Sequence, residues 1–231
     1  MRFRWVVIVS LLGFALGCTS LETAGGWRPL FDGKSLAGWS APDLSFWSVQ
    51  DGLLTGETTR EHQPPRTQFL VWRGGEVSDF ELKFQFRIFG AQANSGMQFR
   101  SAVKEHGLVH GYQADMNSKG DLVGALYDEY NPRASLAHRG ERVVIDEAGH
   151  RTVTRFAAAD SLPPGLRTGE WNEYHITAVG PKLTLRVNGV VTAEVEDRQV
   201  GEADAAGVLA TAIIAGEPMK VQYRDLRLRE R

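Results

Sequence analysis

The chain has 231 residues, 42% of them apolar and 23% charged, with a formal net charge of −2. That composition excludes a disordered or low-complexity polypeptide, and the length allows an ample buried core without disulfides. The slight acidity gives no electrostatic case for a nucleic acid or an anionic membrane surface as partner.

Met1-Arg2-Phe3-Arg4 is a short positive segment, and Trp5 to Gly17 is apolar but too short to span a bilayer comfortably. Ala15-Leu16-Gly17-Cys18 follows, and Cys18 is the one cysteine of the chain. This stretch resembles the lipobox of bacterial lipoproteins, with Ala15 where leucine is usual. The expected organisation is a signal peptide over 1–17, a lipidated Cys18 opening a tether over 18–26, and a single domain over 27–231. The alternative is an ordinary signal peptide with an incidental cysteine. A lone cysteine forms no internal disulfide and has little other use in an exported protein. Thr19 after the cysteine, rather than Asp, points by analogy with bacterial sorting to a lipid anchor in the outer membrane, facing the periplasm. Loss of Arg2 and Arg4 with the signal leaves 24 basic and 28 acidic residues, a net charge of −4.

Asp32-Gly33 is a tight-turn pair, and the run from Phe46 to Gly56 predicts a hairpin joined at Asp51-Gly52. Residues 57–68, with Pro64-Pro65, predict a loop, and Phe69 to Trp72 a short apolar strand. Phe80 to Ile88 alternates without error. Phe80, Leu82, Phe84, Phe86 and Ile88 face one way, and Glu81, Lys83, Gln85 and Arg87 the other. One buried and one wet face require an antiparallel sheet. Three polar-studded strands follow: Asn94 to Arg100, Gly111 to Asp115, and Gly124 to Glu129. Lying side by side they would form a polar concave floor suited to a sugar.

Residues 129–142 predict a long polar loop, expected to cover that floor and to send Arg133, His138 or Arg139 into it. Residues 57–68 are the candidate for the opposite wall. Residues 143–145 and 152–156 suggest a second hairpin, and Ala157 to Leu162 a short helix ended by Pro163-Pro164. Trp171 to Val179 alternates again. Leu183 to Val187 and Val190 to Val195 pair across Asn188-Gly189. Residues 207–214 and 219–229 close the chain as strands. About a dozen short strands without sustained helical periodicity define an all-β fold, a two-sheet antiparallel β-sandwich of jelly-roll type.

Alternation places Gln98 with Arg100, Gln113 with Asp115, and Tyr127 with Glu129, leaving Asp128 on the opposite side or at the rim. Carboxylates, amides and arginine suit sugar hydroxyls, and Tyr112, Tyr127 and Tyr130 suit stacking on a sugar ring. Each has a plainer reading. Arg100 and Asp115 suit a cross-strand ion pair, Asn94-Ser95-Gly96 a turn, Tyr112 the core, and Asp128-Glu129 a solvated strand end. Asp and carbonyl groups could bind Ca²⁺, but no dense Asp/Asn loop demands it, and no cofactor is indicated.

In order and spacing, several motifs together resemble the 3-keto-disaccharide hydrolase domain family of bacterial exported proteins. They are Leu30-Phe31-Asp32-Gly33 with Gly38-Trp39, Trp47 to Gly56, Asp79-Phe80-Glu81-Leu82, Asn94-Ser95-Gly96 with Phe99-Arg100, Gly111-Tyr112-Gln113, Gly124 to Asp128, Gly169 to Tyr174, Val187-Asn188-Gly189 and Lys220 to Leu226. The resemblance covers residues 27–231 and implies a concanavalin A-like fold. It departs at Gly111-Tyr112-Gln113-Ala114-Asp115, where members often read Gly-Tyr-Glu-x-Gln, and at Ala212 and Ile214, where Gln and His are common.

The resemblance implies cleavage of a glycoside already oxidised to a ketone at C3, which acidifies the C2 hydrogen. Such a site needs a base at C2, a cation or donor at the ketone oxygen, and an acid at the leaving oxygen. The assignment is Asp115 as base, Arg100 at the ketone, and Asp128 or Glu129 as acid. Asn94, Gln98, Gln113, Tyr127, His110, Arg133, His138 and Arg139 are the candidate substrate contacts, with His110 and His138 as alternative acid/base groups. Direct hydrolysis by two carboxylates uses the same residue types. A non-catalytic carbohydrate-binding module and a scaffold lipoprotein are the competing functions.

Overall fold

The computed structural model describes residues 25–159, 161 and 169–231. The expected signal segment and Cys18 lie outside the described residues. The described residues form seventeen strands: β1 (Arg28–Pro29), β2 (Trp39–Ser40), β3 (Trp47–Gln50), β4 (Leu53–Thr58), β5 (Gln68–Trp72), β6 (Phe80–Phe89), β7 (Asn94–Val103), β8 (Val109–Asn117), β9 (Leu126–Glu129), β10 (Ala134–Ala137), β11 (Glu141–Ile145), β12 (Arg151–Arg155), β13 (Asn172–Val179), β14 (Lys182–Val187), β15 (Val190–Asp197), β16 (Val208–Ile213) and β17 (Met219–Glu230). A ten-stranded sheet runs β12-β11-β15-β14-β13-β6-β17-β4-β3, with β1 beside β17. A seven-stranded sheet runs β10-β9-β8-β7-β16-β5-β2 and packs against it.

The alternation of β6 decides which face is inside. Phe80, Leu82, Phe84, Phe86 and Ile88 are all buried and meet Met97, Phe99, Tyr112, Ala114 and Met116 of the opposite sheet in one core. Phe80 sits edge-on to Phe99 at 6.0 Å, and Phe84 stacks on Tyr174 at 5.5 Å. Each such burial contributes roughly 1.5–3 kcal/mol. Tyr112 is therefore a core residue, not a stacking platform for ligand. The two hairpins expected at Asp51-Gly52 and Asn188-Gly189 form with both turn residues left-handed, the backbone that these pairs tolerate best.

The expected two-sheet, predominantly antiparallel sandwich is present, with local departures. The sheets are not wholly antiparallel: β11 runs parallel to β15. The chain reaches β11 by crossing from the other sheet after β10, so no tight turn dictates its direction. Residues 129–142 are not a structureless loop, because β10 pairs antiparallel with β9 and extends the seven-stranded sheet. The described part of the expected helix, 157–159 and Ser161, shows bend and turn only; Asp160 and residues 162–168 lie outside the described residues.

Candidate functional site

The outer face of the seven-stranded sheet divides into a polar and an apolar half. Strand register builds the polar half. Gln98 of β7, Gln113 of β8 and Tyr127 of β9 form one row; Gly96 stands opposite Asp115, and Gly111 opposite Glu129. Their neighbours along the strands, Met97, Ala114 and Leu126, enter the core, so period-two alternation aims these polar side chains outward. Asn94-Ser95-Gly96 is thus strand, not turn. Gly96 has a packing reason, since a Cβ there would lie 2.3 Å from Cδ of Gln113, which is laid across it.

A directed hydrogen-bond chain links the row. Ser101 Oγ donates to Gln98 Oε1 at 3.0 Å, and Gln98 Nε2 donates to Gln113 Oε1 at 3.1 Å. Gln113 Nε2 then donates to Asp115 Oδ1 at 2.7 Å and to Glu129 Oε2 at 3.2 Å. One amide nitrogen therefore bridges two carboxylates. The sum of those two contacts bounds the separation of the two oxygens below the roughly 6.5–9.5 Å of an inverting glycosidase pair. Among the described residues, no arginine or lysine pairs with either carboxylate. Burial pushes the Asp115 carboxyl up to about 7, the Gln113 bond opposing and the Glu129 charge adding. Burial and the neighbouring Asp128 raise Glu129 as well.

The core holds this arrangement from behind. Tyr174, from the opposite sheet, donates its hydroxyl to the Asp115 carbonyl at 2.8 Å and accepts from the Gly124 amide at 2.6 Å. His110 flanks the face, its ring stacked on Tyr130 at 5.2 Å, and Tyr130 meets Phe69 edge-on at 6.2 Å. Asn94 stands two residue pairs beyond Gly96 and Asp115, opposite Asn117.

Five candidates stand elsewhere. Arg100 does not share a face with Gln98 and does not pair with Asp115. A bulge between Phe99 and Ala102 and a left-handed backbone at Arg100 (φ 48°) rotate it away. Its guanidinium donates to the carbonyls of Ser78 (2.7 Å) and Gly180 (2.8 Å) and pairs with Asp79 at 3.0 Å. Asp128 points inward and is fully buried, paired with Arg133 Nε at 2.5 Å. Arg133 also pairs with Asp197 at 2.7 Å, whose carboxylate accepts the Tyr112 hydroxyl at 2.6 Å. Arg133 thus closes a buried network between the sheets instead of covering the polar face. Arg139 is buried and donates to the Val123 carbonyl. His138 is exposed, its backbone amide bound to Glu141. Residues 59–67 pack toward the turn at Leu44–Phe46, where His62 stacks on Phe46 at 4.1 Å.

The other half of the face is closed and apolar. Phe69, Val71, Val109, Ala210 and Ala212 form a separate buried cluster, with Leu108, Val208 and Ile214 against it. Ala212 and Ile214, where the family resemblance predicts polar groups, belong to this cluster. Among the described residues, no group of three or more His, Cys, Asp or Glu side chains is placed to hold a metal ion. Sequence reasoning missed Ser101, which heads the amide chain, and Asp79 and Asp197, which hold the two arginines. Ser101 lies in the bulge, where alternation gives no signal. The two aspartates lie 21 and 64 positions from their partners.

The fold is that of known carbohydrate-related β-sandwiches. The chain is similar to a carbohydrate-binding module of Bacillus subtilis at 13% identity and TM-score 0.55, covering 84% of this chain and 96% of that one. A candidate glycosyl hydrolase from Parabacteroides distasonis matches at 19% identity and TM-score 0.58, over 91% of this chain and 96% of the other. A Bacillus licheniformis β-glucanase matches at 9% identity and TM-score 0.52, over 90% and 100%. At such identities the likeness is one of fold. No curated protein matches in a sequence comparison. The chain belongs to the 3-keto-alpha-glucoside-1,2-lyase-like domain family, whose sequence profile matches residues 26–229.

Proposed function

We propose that this chain cleaves 3-keto-glycosides by elimination across C1 and C2. The observation that carries the reading is the pair of carboxylates, Asp115 and Glu129, bridged by Gln113 and raised in pKa, with no cation paired to them among the described residues. A carboxylate at about 7 is a far better match to a carbon acid at neutral pH than an ordinary aspartate. In the proposed reaction Asp115 takes the C2 proton and the electron pair forms the enolate. Tyr127, in the Gln113 row, donates its hydroxyl to the enolate oxygen. The enolate collapses to a C1–C2 double bond as the C1–O bond breaks, and protonated Glu129 gives its proton to the leaving oxygen. Water then adds at C1, Asp115 returns its proton to C2, and Glu129 recovers a proton from the water. This division of labour requires one proton between the two carboxyls that Gln113 bridges, carried by Glu129 when the substrate binds.

We place the enzyme at the cell envelope, anchored through Cys18, on the strength of the lipobox-like stretch alone. The second reading is a non-catalytic carbohydrate-binding lipoprotein, favoured by the apolar character at Ala212 and Ile214. Release of the leaving group from a 3-keto-glucoside and from its unoxidised parent, by residues 19–231 and by Asp115→Asn, separates the two. Release from the keto substrate alone, reduced about 10²–10⁴-fold in the variant, is expected for a general base. Release that survives in the variant rejects Asp115. Sugar binding without release from either substrate makes the protein a binding module.

A further inference from the structure

The outer face of the ten-stranded sheet, on the far side of the sandwich from Asp115, carries a line of like charge. Strand register sets Arg186 of β14 opposite His175 of β13, His175 opposite Lys83 of β6, and Lys83 opposite Arg227 of β17. Like charges directly opposite one another across a sheet are destabilising. The effect registers at His175, whose pKa is lowered by burial and, against the Glu81 bond, by the Lys83 and Arg186 charges. Glu81 bonds His175 but also takes Arg229 and Arg231, so it is matched without Lys83, Arg186 or Arg227.

Further along β6 the excess continues. Arg87 and Arg224 lie over the Trp171 ring at 4.7 and 4.0 Å and donate to the neutral amides of Gln222 (2.8 Å) and Gln85 (2.7 Å). Toward the chain start, the Trp27 ring carries Lys83 Nζ at 5.4 Å and the Arg229 guanidinium at 4.8 Å. Among the described residues, none of Lys83, Arg87, Arg186, Arg224 and Arg227 has a carboxylate partner. Besides Glu81 and the Arg28-paired Glu230, the acids on β6, β13, β14 and β17 are Glu173 and Asp225. The net charge of −2 for the whole chain hides this local excess of cations.

Cations between two tryptophans match an anionic bilayer surface, where basic side chains meet headgroups and tryptophan sits at the interface. The path of the chain favours a bilayer over a soluble polyanion. The Gly25 carbonyl accepts from Arg229 Nη1 at 3.5 Å on this same face, and Cys18 stands seven residues before it. Seven residues reach about 25 Å at most, so an anchor at Cys18 keeps this face near the lipid. We infer that the outer face of the ten-stranded sheet docks on an anionic phospholipid surface through Lys83, Arg186 and Arg227. The Asp115 face is then turned away from the bilayer and open to substrate. The choice of a bilayer as occupant rests on the anchor proposed above; the binding itself needs neither the acyl chain nor the proposed reaction.

The test sediments residues 19–231, unlipidated, with vesicles of phosphatidylcholine alone or in equal parts with phosphatidylglycerol. Wild type should bind the mixed vesicles and not the neutral ones. One basic side chain near an anionic leaflet changes partitioning about fivefold. Arg227→Gln, at an exposed position, should therefore weaken binding about fivefold, and its combination with Lys83→Gln and Arg186→Gln about 10²-fold. Raising the salt from about 0.1 M to about 1 M should release wild type, because the screening length falls from ~10 to ~3 Å. No binding to the mixed vesicles, or equal binding by wild type and the triple variant, overturns the docking face. Binding to soluble dextran sulfate without binding to vesicles also overturns it and gives the face to an acidic polymer. Melting curves check that the triple variant folds, and Arg227→Gln decides the matter if it does not. The vesicles carry no sugar, so the result is independent of whether the proposed reaction occurs.

Discussion

The outer faces of the two sheets each carry a buried carboxylate on an alternating strand, and the sandwich treats them in opposite ways. On the ten-stranded sheet Glu81 receives His175 Nε2 at 2.8 Å together with the guanidinium groups of Arg229 and Arg231. Burial alone would raise its pKa; bonds from Arg231, Arg229 and His175 overcome that and hold it at about 2. On the seven-stranded sheet, among the described residues, Asp115 receives only the Gln113 amide on its carboxylate and faces Glu129, and burial takes it to about 7. The acid surrounded by cations is locked as an anion and serves the fold. The acid bonded to one neutral amide and facing a second carboxyl stays poised near neutrality, able to take and return a proton. The contrast lies in the neighbours supplied by adjoining strands, not in the acids themselves.

The largest effect expected from breaking this contrast is at Asp115. A folded pKa raised above the unfolded one means that the native state binds more protons between about 4 and 7, so stability contributed by this group is lost as pH rises through that window. Asp115→Asn, besides losing turnover, should melt higher than wild type at pH 8, by up to a few kcal/mol in stability, with the gain vanishing near pH 4. Thermal melts at the two pH values check it. Equal melting at pH 8 would mean that Asp115 ionises without strain.

Removing a buried cation should cost next most. Arg133→Met leaves Asp128 and Asp197 buried without their shared partner and should destabilise by about 3–5 kcal/mol, seen as a lower denaturant midpoint. A loss under about 1 kcal/mol would show that the two acids take up protons or water instead. At Gly96 the effect is smaller and more pointed. Gly96→Ala drives a methyl into Gln113 and should cost about 1–3 kcal/mol. It should also lower kcat/KM on the keto substrate, because Gln113 can no longer hold both carboxylates. Wild-type turnover in this variant would show that the bridge is not needed.

The smallest effect is at Glu81, whose arginine partners are one-third to one-half exposed and screened by water. Glu81→Gln should cost about 1 kcal/mol at pH 7. Because the folded pKa is depressed, that contribution is present above about 4.5 and fades as pH falls toward 2. Acid titration of the melting temperature should therefore bring variant and wild type together at low pH.

Local pattern made much of this legible in the chain. The alternation of Phe80 to Ile88 fixed a strand with one wet face, and Asp51-Gly52 and Asn188-Gly189 fixed two hairpins, because these depend on neighbours within a few residues. The same period-two rule placed Gln113 with Asp115 and Tyr127 with Glu129 on one face. It failed at Arg100, where a one-residue bulge reverses the side that follows. It also gave no sight of what Arg133 and Arg139 would meet, since Asp197 lies on a distant strand and a charged residue near a turn looks solvated until something buries it.

By itself, then, the sequence determined an all-β sandwich, its family, and the strand on which Asp115 stands, all of which follow from short-range alternation, turn chemistry and ordered motifs. Only the tertiary structure decided which polar residues share a site. Asp115, Glu129 and Gln98 converge on one amide because β7, β8 and β9 lie side by side in a particular register, while Arg100, Asp128 and Arg133 are drawn into the seam between the sheets. A proton poised near neutrality is a property of that register and burial, and neither is written at any single position of the chain.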